Sequence, residues 1–347
     1  MKRKKKIFLK ELDSELNKHI LPYWINRMVD KENKGFYGRI NGQNRVDKEA
    51  GKGSVLNARI LWTFSAAFNA THEEDYLNTA NQAYDYCIRH FINRQQGGVY
   101  WLLDYRGRPL EKKNQIYALA FMIYGLSEYY RATGISQAAE ESVSLFHLIE
   151  KYSFDCSMNG YFEAFDENWK LLEDLRLSDK DANEKKTMNT HLHILEAYAN
   201  LYRCWDDPVL LEKLKNLIGV FFDRILDPDT WHFKLFFDEK WNSRDDTISF
   251  GHDIEGSWLL QEAARVTGDK VLLSRSKEAA VHMVDRIMTE GFDKDGGLFY
   301  QAEGMKIKDT DKHWWPQAEA LVGLDNAWEI TGDQKYFDQA LMVWYFI

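Results

Sequence analysis

Three cysteines in 347 residues leave no disulfide framework to build on. Cys87, Cys156 and Cys204 are odd in number, scattered and never in CxxC spacing. That excludes a disulfide scaffold and a cysteine zinc site, and it fits a reducing compartment. No apolar run approaches the roughly 20 residues of a membrane helix. The opening MKRKKKIFLKELDSEL has the charge of a signal peptide but only Ile7, Phe8 and Leu9 as its apolar stretch, where about 7–15 residues are needed. An HExxH pair, a phosphate-binding glycine loop and a Ser–His–Asp nucleophile motif are all missing. Basic residues are in deficit, 45 against 54 acidic ones, and the net charge of −9 argues against nucleic acid as a partner. The expectation is a cytoplasmic protein with no membrane partner, whose residues 1–7 form a solvated, disordered basic tail.

What the chain has in quantity is a repeat. A glycine, then aromatics, then an acidic residue recur as KGFYGRI (34–40), GGVYWLLD (97–104), NGYFEAFD (159–166), the looser DTWHFKLFFD (229–238) and GGLFYQAEG (296–304). Their starts lie about 65 residues apart. Each alternates apolar and polar residues and reads as a short strand or hairpin. Between them lie helical pairs. The first member of each is apolar nearly all round: 54–70, 114–133, 187–205, 251–267 and 313–330. The second is amphipathic: 73–91, 136–152, 207–225, 269–289 and 333–347. Buried helices covered by amphipathic ones, with an opening helix over 8–29, predict a single all-α domain over 1–347. The architecture is an α/α toroid with short β-hairpins at one mouth; an open stack of repeats is the alternative. Six pairs would close a ring, so the count predicts that the last inner helix is absent from this chain. The next hairpin is due near residue 360, and YFDQALMVWYFI stops in mid-helix. Such a gap is expected to uncover Leu56, Ile60, Leu321 and Leu324, and to leave the chain unstable and inactive.

Polar residues recur in the first turns of the apolar helices, where the hairpins gather. The first offers Asn57 and Arg59, and the second Tyr117. The third offers Asn189, His193 and Glu196 on one face, with His191 about 160° away from His193. The fourth begins TISFGHDIEGSWLL, where His252 and Glu255 share a face and Asp253 does not; Ser249 or Asp253 would cap it. The fifth carries Trp314, Trp315 and Glu319, with Pro316 tolerated in its first turn. HILE and HDIE invite a two-metal reading, but di-metal bundles use Glu-x-x-His with further carboxylates. No metal and no cofactor are therefore expected. A glycosidase would need facing carboxylates from Glu255, Glu319 and Asp181, leaving the histidines surplus. Histidine moves protons both ways near neutral pH, and Trp and Tyr with Arg and Asn suit a sugar. Together they suggest proton transfer next to a carbonyl on a carbohydrate.

LNARILW, TMNTHLHILEAYANLYR, SFGHDIEGSWLL and KHWWPQAEALVG resemble the N-acylglucosamine 2-epimerase superfamily, and most closely its cellobiose (mannobiose) 2-epimerase branch. The resemblance runs from about residue 12 to the end. It implies an (α/α)6 barrel and cofactor-independent epimerisation at C2 of the reducing-end glucose or mannose of a β-1,4-disaccharide, through a cis-enediolate. It implies His252 as one acid/base, His193 as the group that assists ring opening and holds the enediolate, and Arg59 as a stabiliser of the negative oxygen. Tyr117, Asp181, Asn189, Glu255, Trp314, Trp315 and Glu319 would contact substrate. The family's second acid/base histidine lies in a Trp-Lys-Cys-Pro-Tyr-His-Asn segment on the last inner helix, which this chain does not contain. Aldose–ketose isomerase of the mannose/fructose type, glycoside hydrolase and a non-catalytic sugar-binding toroid are the alternatives. A mono- or disaccharide is the expected ligand, and a homodimer is left open.

Overall fold

The computed structural model describes residues 2–178, 181–304 and 306–347, with Lys2 given by its backbone alone. Eleven helices run through the described residues in the predicted order. The opening helix α1 (Lys2–Glu15) continues to Met28 through alternating π- and α-type turns. Five pairs follow, each with an apolar first member. They are α2 (Ser54–Thr71) with α3 (Glu74–Tyr86), α4 (Ile116–Thr133) with α5 (Ser136–Tyr152), and α6 (Met188–Tyr202) with α7 (Pro208–Val220). The last two are α8 (Phe250–Thr267) with α9 (Lys270–Glu290) and α10 (Trp314–Thr331) with α11 (Gln334–Phe346). No helix among the described residues is long and apolar enough to cross a membrane.

The turn within each pair is written in local chemistry. Gly134, Gly268 and Gly332 take the left-handed conformation that ends α4, α8 and α10. The carboxylates of Asp269 and Asp333 then accept the first free N–H groups of α9 and α11. Two sequence expectations are corrected. The basic tail is helical from Lys2, because Lys and Arg are good helix formers and a short charge run can be solvated without leaving the helix. Ile60 and Leu324 are buried rather than uncovered, Leu324 in a cluster with Phe250, Ile254 and Tyr336.

The chain forms two compact units, Met1–Ile149 with Ala164–Leu172, and Glu150–Glu163 with Glu173–Ile347. Within them, each glycine–aromatic phrase folds alike. Val29, Ile92, Phe154, Leu226 and Phe292 bridge Phe36, Val99, Tyr161, Phe233 and Leu298. In the first four, the next side chain (Asp30, Asn93, Asp155, Asp227) accepts backbone N–H groups two and three residues on. Buried lysines fasten some of these turns to the start of the following helix. Lys52 pairs with Asp30 at 2.8 Å and Lys186 with Asp155 at 2.8 Å. Each Nζ also donates to a turn carbonyl, so neither charge is buried alone.

Candidate active site

The second unit holds a cavity of about 470 Å³ walled by the entrances of α6 and α8 and by the segment leading into α10. Asp181, Asn189 and His252 line it, with Glu163, Asp245, Tyr300 and His313. The question raised by HDIE is answered residue by residue. His252 faces the cavity, and its Nδ1 shares a 2.8 Å hydrogen bond with Ser249 Oγ. Asp253 turns away to accept the Phe233 N–H at 2.8 Å. Glu255 Oε1 stands 3.9 Å from His193 Nε2, while His193 Nδ1 meets Glu196 Oε2 at 3.0 Å.

The three apolar helices of this unit, α6, α8 and α10, present equivalent positions. Counted from each helix start, the fourth residue is His191, Asp253 and Gln317, and the sixth is His193, Glu255 and Glu319. The fourth residues all do one job: they accept the bridging N–H of the preceding hairpin, at Tyr161, Phe233 and Leu298. His191 is accordingly used up. Its Nδ1 donates to the Thr187 carbonyl at 2.6 Å and its Nε2 accepts from Tyr161, which fixes one neutral tautomer. Burial pushes its pKa down to about 4. The sixth residues make the polar row. Glu319 accepts from Trp258 Nε1 at 2.9 Å, and Trp258 lies three residues after Glu255 on α8.

Burial, with a smaller contribution from nearby His193, lowers the His252 pKa to about 3, so the ring is neutral at physiological pH. Trp315 packs tilted on that ring, centroids 4.9 Å apart, and leans on Gly251, where a side chain would meet it. Asn189, beside His252 in the cavity wall, has a buried Oδ1 with no hydrogen-bond partner among the described residues. Asp181 accepts from the N–H and hydroxyl of Ser178, so it shapes the loop that carries it to the cavity. Trp314 is 76% exposed and does not line the cavity. Arg59 and Tyr117 belong to the first unit, where both pack on Phe121: the guanidinium lies 4.3 Å from the ring centroid and the Tyr117 ring meets it edge-on at 4.9 Å.

Some wall residues escaped sequence reasoning. Glu163 is fully enclosed, accepts the Thr187 N–H at 2.7 Å and takes the Thr190 hydroxyl on its other oxygen. Burial raises its pKa to about 8. Its signal was an acid at an inward position of a strand-like phrase, NGYFEAFD. Tyr300, which stacks on His313 with centroids 4.1 Å apart, sits likewise in GGLFYQAEG. Asp309, Asp311 and His313 bring one ligand atom each within 4.8 Å of one another, the one such grouping among the described residues. The Asp309 carboxylate already accepts the Asp311 N–H.

A neutral histidine and a histidine held between two glutamates, at the mouths of neighbouring helices beside a cavity of ligand size, are the equipment of proton transfer on a small polar molecule. Residues 35–347 match the N-acylglucosamine 2-epimerase family, and the chain belongs to it: it is an enzyme of the carbohydrate epimerase and isomerase class. It is 52% identical to the cellobiose 2-epimerase of Bacteroides fragilis, over 98% of this chain and 87% of that protein. It is 38% identical to the cellobiose 2-epimerase of Ruminococcus albus, over 97% of this chain and 86% of that protein. The solved structure of cellobiose 2-epimerase from Bacillus thermoamylovorans superposes with a TM-score of 0.93 at 39% identity, covering 98% of this chain and 87% of that one. The fold class is thus the all-α, α/α-barrel class that the repeat predicted.

Proposed function

We propose that the protein catalyses reversible C2 epimerisation of the reducing-end glucose or mannose of a β-1,4-linked disaccharide such as cellobiose. The observation that carries this reading is the placement of His252: an imidazole in the cavity wall, hydrogen-bonded to Ser249, whose burial lowers its pKa to about 3 and leaves it a lone pair to offer at neutral pH. In the tautomer whose Nδ1–H donates to Ser249 Oγ, Nε2 carries the lone pair that acts as base. In the open-chain sugar, the C2–H bond breaks: its proton goes to the imidazole, its electron pair forms the C1=C2 double bond, and the carbonyl π pair moves onto the C1 oxygen, giving a cis-enediolate. A second acid on the opposite face of C2 gives its proton to that carbon as the C1 carbonyl re-forms, which yields the epimer. His193, held by Glu196 and Glu255, assists ring opening and binds the enediolate oxygen. Asn189, Glu255, Glu319 and Asp181 bind hydroxyl groups, and Trp315 supplies an apolar face. The relatives named cellobiose 2-epimerase support the choice of disaccharide and of C2. No metal or cofactor is needed for a proton moved between carbon and imidazole.

Incubating the full-length protein with cellobiose tests this directly. Glucosyl-mannose is the expected product, with activity unchanged by chelators. Glucosyl-fructose would make the enzyme an aldose–ketose isomerase, and free glucose would make it a hydrolase; either contradicts the proposal.

A further inference from the structure

The fourth hairpin departs from the others at one place. The residue before the bridging position is Gly35, Gly98, Gly160 and Gly297 in the other four, and His232 here. The acceptor of the bridging N–H changes with it. Neutral groups do this elsewhere: Asn114 for Val99, His191 for Tyr161, Gln317 for Leu298. For Phe233 it is a carboxylate, Asp253. The other oxygen of Asp253 meets His232 Nδ1 at 2.7 Å, and His232 Nε2 meets Glu290 Oε2 at 3.0 Å. Arg286 closes the chain on the second Glu290 oxygen at 3.0 Å. His232 is 4% exposed and Asp253 is fully buried. An acid–imidazole–acid bridge thus ties the hairpin, the first turn of α8 and the end of α9 together.

The first turn of α8 is also the turn that carries His252, and it starts without its own cap. Ser249 stands at the capping position but shares its hydroxyl with His252 Nδ1 instead of with a helix N–H. By contrast, Thr187 caps α6, accepting the Thr190 N–H. An absent cap leaves the N–H groups of that turn without the acceptor a capping side chain supplies. Asp253 sets a carboxyl group in the first turn, where the helix dipole favours an anion; burial raises its pKa against the opposing pull of His232. We propose that Asp253 and His232 are positioning residues for proton transfer by His252: the bridge holds the uncapped turn from behind, while Ser249 is committed to the imidazole. This rests on the reading of His252 given above. Neither residue touches substrate. Both act through the turn they hold.

Asp253→Asn keeps an oxygen for the Phe233 N–H and removes the acid that meets His232, and His232→Gln keeps a donor for Asp253 and breaks the bridge to Glu290. In the full-length enzyme with cellobiose, each variant is expected to lower kcat about 10- to 100-fold, the scale of a small misplacement of a reacting group, with KM within about threefold of wild type and a cooperative thermal transition. A purely structural pair would leave kcat of the folded variants unchanged. A folded variant with kcat within threefold of wild type overturns the proposal, as does a rise in KM alone. Failure of both variants to fold also overturns it, since the pair would then serve stability. Wild-type enzyme inactive on cellobiose would take down the proposed function, and this inference with it; wild-type activity with unaffected variants would take down only the inference.

Discussion

Two histidines two residues apart on α6 show how little the residue type says by itself. His191 has both ring nitrogens engaged and no exposed surface, whereas His193 lies between two glutamates. Helical phase separated them in the sequence; the partner of His191, a backbone N–H contributed 30 residues earlier, had no sequence signal. Replacing His191 with Ala should therefore cost stability, about 1–3 kcal/mol for the stranded Tyr161 N–H, and leave most turnover in the folded fraction. His252→Ala and His193→Ala should each lower kcat by about 10²–10⁴ with the fold retained. Thermal denaturation and steady-state kinetics on the same preparations separate the two behaviours. Glu163 makes a prediction in pH. Its pKa rises from 4.5 to about 8 on folding. Between those values the folded chain holds a proton that the unfolded chain has released, so this group makes stability fall as pH rises. Melting of Glu163→Gln between pH 5 and 8 should show a flatter slope than wild type, and an unchanged slope would contradict the buried-acid assignment.

At the scale of elements, the helices were legible because their periodicity is strong, and their ends because Thr-Gly-Asp turns announce both a stop and a start. The five hairpins were legible as a repeated phrase, but their fastening was not. The glycine in that phrase reads as a flexible turn, while the structure gives it a steric reason. Gly160 adopts φ +83°, and a Cβ there would lie 2.3 Å from the Trp241 ring and 2.8 Å from His191 Nε2. Gly160→Ala is expected to destabilise by at least about 1–3 kcal/mol through overpacking alone, measured as a lowered denaturant midpoint with an unchanged slope. A substitution that leaves the midpoint in place would show that the hairpin is not clamped by these rings. The charged run at the start misled for the opposite reason: composition suggested disorder, and local helix propensity prevailed.

For the molecule as a whole, the repeat singled out the entrances of the apolar helices before any side chain was placed, and a cavity of the second unit lies at those entrances. Equivalent positions in successive helices converge on equivalent functions, an anchoring row at His191, Asp253 and Gln317 and a polar row at His193, Glu255 and Glu319. What the sequence could not supply was the state of the groups: that His252 is kept neutral, that Ser249 serves it rather than the helix, and that Asp253 answers to His232. Those are products of burial and of partners distant in the chain. The central claim is that a proton leaves C2 and one returns to C2, and isotopic labelling reads it out. In D₂O with cellobiose and full-length enzyme, the account predicts glucosyl-mannose carrying deuterium at C2 of the reducing-end unit and none at C1. A product labelled at C1, or an epimer formed with no label from solvent at C2 at all, would contradict it.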